Sequence, residues 1–79
     1  MKKIYATVDE AKAHLISVLT ERGYCDIKTH FTRKEESLRS IAFYFEVSYR
    51  LSADSRVNTV NAAKIVVFNK ESGEFHITG

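Results

Sequence analysis

The chain has 79 residues, which is one domain's worth of sequence and enough to bury about 60% of its unfolded surface. Its formal charge of +2, with acids and bases interspersed, excludes a strongly acidic nucleic-acid mimic and lends only weak support to nucleic-acid binding. A single cysteine excludes an internal disulfide and points to a reducing compartment, so the expected location is the cytoplasm.

Met1, Lys2 and Lys3 resemble the charged end of a signal peptide. Only Ile4, Tyr5 and Ala6 follow before polar Thr7 and acidic Asp9 and Glu10, so no signal is expected. No apolar run approaches the length of a membrane span, and no membrane partner is expected. Residues 3–6 could add a short strand.

Thr7 followed three residues later by Glu10 is the pattern of a capping box, in which each side chain bonds the other's backbone N–H. Asp9 and Glu10 also suit the positive end of a helix dipole. From Val8 to about Arg22, Val8, Ala11, Leu15, Val18 and Leu19 recur at helical spacing with Ile16 on the flank, which predicts an amphipathic helix. Gly23 supplies the left-handed stop.

Residues 25–32 alternate, with Cys25, Ile27, Thr29 and Phe31 predicted inward and Asp26, Lys28, His30 and Thr32 outward. The charged residues 33–37 read as a loose loop. Residues 40–51 alternate most strongly: Ile41, Phe43, Phe45, Val47, Tyr49 and Leu51 fall on one face, and Ala42, Tyr44, Glu46, Ser48 and Arg50 on the other. This is the strand around which the rest is organised. Residues 52–55 form a turn by composition. Residues 56–68 are rich in β formers but change phase, with a bulge or break predicted at Asn61, Ala62 and Ala63. Ile65, Val66, Val67 and Phe68 are apolar on both faces, as in a central strand. Gly73 closes a hairpin into a last short strand at residues 75–78.

These elements predict an α+β domain in α-β-β-β-β order. One N-terminal helix packs on one face of a three- to four-stranded antiparallel sheet.

The run from Phe43 to Phe75, ending in Val67-Phe68-Asn69-Lys70-Glu71-Ser72-Gly73-Glu74, resembles the closing hairpin of PepSY-type domains. Those domains also place a helix before antiparallel strands. The resemblance implies that arrangement, and no function is carried over from it.

Chemistry-bearing residues are sparse. Asp26 and His30 share a face but stand about 13 Å apart along a strand. A metal site would therefore need His76 from a neighbouring strand, and no recognisable ligand spacing exists. Cys25 has no local base and reads as a small inward residue. There is no Gly-rich phosphate loop and no nucleophile elbow. The sequence thus predicts no enzyme, no cofactor and no metal.

The face left uncovered by the helix is either an ordinary solvated surface with isolated aromatics or the functional surface. Alternation assigns to it Tyr44, Glu46, Ser48 and Arg50, together with Lys28, His30, Lys64, Val66, Phe68 and His76. Tyr44, Arg50, Lys64, Val66 and Phe68 are the predicted partner-binding residues, because exposed aromatic and arginine side chains favour interfaces. The favoured partner is another protein or a second copy of the chain, as in an adaptor or inhibitor of the phage or mobile-element type by analogy. The alternative is single-stranded nucleic acid, with Tyr44 and Phe68 stacking bases and Lys28, Arg50 and Lys64 meeting phosphates.

Overall fold

The computed structural model describes residues 5–51 and 59–78. Helix α1 (Val8–Glu21) is followed by β1 (Cys25–Glu36), β2 (Ser40–Arg50), β3 (Thr59–Asn69) and β4 (Glu74–Thr78). The strands form one antiparallel sheet in the order β1-β2-β3-β4, with the helix packed on it. This is the predicted α-β-β-β-β architecture. The expected turn at residues 52–55, the start of the predicted strand at residues 56–58 and residues 3–4 of the extra strand lie outside the described residues, and Tyr5 and Ala6 are not in a strand.

Both helix ends are set by local sequence. The Thr7 N–H donates to Glu10 Oε1 at 3.0 Å, and the Glu10 N–H donates to Thr7 Oγ1 at 3.2 Å, completing the capping box. At the far end Gly23 takes φ +87°, which an L side chain resists. The N–H groups of Gly23 and Tyr24 then bond the carbonyls of Thr20 and Leu19 at 3.0 and 3.2 Å. This is the Schellman pattern, and it satisfies carbonyls the helix would otherwise leave open. Tyr24 goes on to stack against Tyr49, with ring centroids 4.4 Å apart.

The core joins Ala11, Leu15 and Leu19 of α1 to Ile41, Phe43, Phe45, Val47 and Tyr49 of β2 and to Val66 and Phe68 of β3. Burying each large apolar side chain contributes about 1.5–3 kcal/mol before chain entropy is counted. Every second residue of β2 from Ile41 to Tyr49 is buried, as its alternation predicts.

Three sequence expectations are corrected. First, residues 33–36 belong to β1, which runs to Glu36 and pairs Arg33 with Tyr44, Lys34 with Phe43, Glu35 with Ala42 and Glu36 with Ile41. The connection to β2 is tight, not loose. The Ser37 N–H donates to the Ser40 carbonyl at 2.8 Å, and the Ser40 N–H donates to Ser37 Oγ at 3.2 Å. Neither Leu38 nor Arg39 has a positive φ, so the hydroxyl of Ser37 completes a turn that usually depends on one.

Second, β1 holds two irregularities, between Cys25 and Lys28 and between Phe31 and Arg33. Each inserts an extra residue on β1 relative to β2, while the predicted alternation holds from Cys25 to Thr32, with the odd-numbered residues the more buried. Cys25, at the start of the strand opposite Arg50, is half-buried and lies outside the core cluster.

Third, β3 has no break. Its register against β2 is uninterrupted from Thr59 opposite Arg50 to Asn69 opposite Ser40. Residues directly opposite each other in an antiparallel pair share a face. Phe43 opposes Val66 and Ile41 opposes Phe68, so Val66 and Phe68 lie on the helix side with no solvent exposure.

Candidate functional site

The sheet face away from the helix follows from this register. β2 contributes Ala42, Tyr44, Glu46, Ser48 and Arg50, and β3 contributes their partners Val67, Ile65, Ala63, Asn61 and Thr59. β1 adds Lys28 and His30, opposite Ser48 and Glu46, and beyond the second bulge Arg33 and Glu35. β4 adds His76 opposite Val67 and Thr78 opposite Ile65.

Of the five predicted site residues, the structure brings two to this face. Tyr44 and Arg50 are on it. Val66 and Phe68 are core residues, and Lys64 stands opposite Phe45 on the helix side. The large apolar members of the β3 contribution are Ile65 and Val67, which sequence reasoning placed on the other face.

The face is divided along the strands. One end is apolar, with Ala42, Tyr44, Ile65 and Val67 side by side on the two central strands. Tyr44 is held there by β1. The Arg33 guanidinium lies 4.1 Å from the centre of its ring, and the Tyr44 hydroxyl donates to Glu35 Oε2 at 2.9 Å. Arg33 and Glu35 are themselves ion-paired, so the three side chains form a closed set. The guanidinium sits against the negative face of the ring, an arrangement worth about 0.5–1 kcal/mol at exposed sites. The hydrogen bond to Glu35, with some desolvation, raises the Tyr44 pKa above the usual phenol value. The second bulge of β1 makes this possible, because it turns Arg33 and Glu35 to the same face as Tyr44.

The other end is polar. Lys28, His30, Glu46, Ser48 and Asn61 border an open depression of about 520 Å³, and Asp26, Lys28, Ser48, Arg50 and Thr59 border a second of about 290 Å³ beside it. Arg50 Nη1 donates to Asp26 Oδ2 at 2.9 Å. Asp26 has φ +52°, in the left-handed region, at the first irregularity of β1.

His30 and His76 do not meet. They are on β1 and β4, the two edges of the sheet, about 14 Å apart across the strands and offset by four residues along them. Among the described residues, no three Cys, His, Asp or Glu side chains gather as metal ligands. No helix among the described residues is long and apolar enough to cross a membrane.

Arg33, Glu35, Ile65 and Val67 are the members of this surface that sequence reasoning missed. For Ile65 and Val67 a signal was present: Val60, Ala62, Val66 and Phe68 are all even-numbered and apolar, which is one strand phase interrupted only by Lys64. For Arg33 and Glu35 no comparable signal exists, because a bulge leaves no mark in a charged run.

No family model, curated protein or solved structure matches the chain.

Proposed function

We propose that the chain is a small non-catalytic binding module, working in the cytoplasm, that engages a protein partner through the uncovered sheet face. The observation that carries this is the ordered apolar end of that face. Tyr44 is fixed by Arg33 and Glu35 beside Ala42, Ile65 and Val67. An aromatic ring already held in place loses little side-chain entropy when a partner covers it, which is what makes such residues effective anchors. The polar end, with its paired Arg50 and Asp26 and its exposed Glu46, would supply orientation and specificity more than affinity. An adaptor or inhibitor role fits such a surface.

Single-stranded nucleic acid is the weaker occupant. Phe68 is in the core and Lys64 is on the helix side, so the expected pair of stacking rings, Tyr44 with Phe68, does not form on this face. Arg33 and Arg50 each face a carboxylate already.

The test is capture of partners from the native host with the wild-type chain, against Tyr44→Ala and Val67→Lys variants of matched thermal stability. A protein retained by the wild type and lost by both variants supports the proposal. Identical capture by all three overturns it. Salt-sensitive retention of single-stranded oligonucleotides, weakened by Lys28→Ala, would put nucleic acid in its place.

A further inference from the structure

The two edges of the sheet are built differently. β1 is guarded along its length by two register irregularities, a left-handed Asp26 and the charged run Arg33, Lys34, Glu35 and Glu36. Bulges and charges of this kind keep an edge from pairing with another chain. At the other edge β4 covers only part of β3, pairing with Ile65 through Asn69. Residues 59–63 of β3 have β2 on one side and, among the described residues, no strand on the other. This stretch, Thr59-Val60-Asn61-Ala62-Ala63, is uncharged, free of proline and regular in register.

We infer that residues 59–63 pair antiparallel with the same residues of a second copy, joining two sheets edge to edge. Three features select a second copy of the chain as the occupant. The segment is neutral and small-chained, so it repels neither itself nor a close backbone. It is self-complementary when Asn61 opposes Asn61 across a two-fold axis, which sets Val60 against Ala62 on the helix side and Thr59 against Ala63 on the open side. That register also stops where β4 begins, since Thr78 already occupies the place opposite Ile65.

The two-fold axis runs perpendicular to the sheet, so both uncovered faces look the same way and merge into one surface. A five-residue strand pair is a small interface, so the dimer is weak and reversible. It stands whether or not the uncovered face binds a protein.

The experiment is sedimentation equilibrium from micromolar to near-millimolar chain. The wild type should rise from the 9.0 kDa chain mass to twice that value. Asn61 is exposed, so Asn61→Lys and Asn61→Asp should fold normally, yet each should stay monomeric because like charges would face each other at the axis. An equimolar mixture of the two variants should regain the dimer. A wild type that stays at monomer mass throughout overturns the inference, as does a single variant that still dimerises or a mixture that does not. Tyr44→Ala should leave the dimer intact, which separates this interface from the one on the sheet face.

Discussion

Phe68 stands directly opposite Ile41 across the β2–β3 pair, and both side chains are sealed from solvent. Phe68 also packs against Phe75, with ring centroids 5.1 Å apart. Phe68→Ala should therefore cost about 3–5 kcal/mol through lost transfer energy and the cavity it leaves. That is a large share of the roughly 5–15 kcal/mol available to a domain. Urea denaturation should show a much lower midpoint for this variant, whereas Tyr44→Ala should stay within about 1 kcal/mol of wild type. Equal midpoints for Phe68→Ala and wild type would contradict the core assignment.

The same pair shows what was legible in the sequence. The helix, its caps, the central strand and the final hairpin were readable because each has a local cause: Thr7 with Glu10, Gly23, the alternation of Ile41 to Tyr49, and Gly73. Which face of β3 meets the helix is a relation between strands, fixed by register, and one residue of slip inverts it. Lys64 in the middle of β3 breaks the even-numbered apolar phase and hides that Val60 and Phe68 belong to one series. The bulges of β1 were equally invisible, and with them the joining of Arg33 and Glu35 to Tyr44. Tyr44 and Arg50, two of the five predicted partner-binding residues, reach the predicted face because β2 needed no partner to be read.

The Tyr44 hydroxyl gives direct access to that cluster. Its hydrogen bond to Glu35 favours the protonated phenol, so Tyr44 should titrate above the ordinary value of 10.0. Any stability this bond supplies is fully present below that value and lost as the pH rises through the higher folded one. Glu35→Gln removes the charge that favours the protonated form and should bring the titration back toward the ordinary value. NMR-monitored titration of the tyrosine rings reads this directly. A Tyr44 curve that does not move in the variant would mean that Glu35 does not hold the hydroxyl.

Asp26 carries φ +52° while pairing with Arg50. Aspartate tolerates this region better than most residues, and a β-branched side chain tolerates it poorly. Asp26→Val should cost about 1–2 kcal/mol more than Asp26→Gly, although both lose the same ion pair. Asp26 is exposed, so burial does not confuse the comparison. Thermal melts of the two variants side by side measure the difference. Indistinguishable melts would mean that the backbone there relaxes out of the left-handed region.

Lys70 ties the two hairpin ends together. Its Nζ donates to Glu36 Oε2 at 2.7 Å and to the Ser37 carbonyl at 2.9 Å, and its backbone N–H donates to the Arg39 carbonyl at 2.9 Å. The hydrogen bond from Lys70, reinforced by its charge, lowers the Glu36 pKa below the ordinary 4.5. Because the folded value is the lower one, the contribution is complete above the unfolded value and disappears as the pH falls through the folded value. Lys70→Met keeps most of the stem and removes the charge. The urea midpoints of wild type and variant should therefore differ by a constant amount at neutral pH and converge as the pH falls below 4.5. A remnant of the difference should persist in acid, because the Lys70 bond to the Ser37 carbonyl does not titrate there. Curves that stay parallel into acid would assign the whole effect of Lys70 to that carbonyl and none to Glu36.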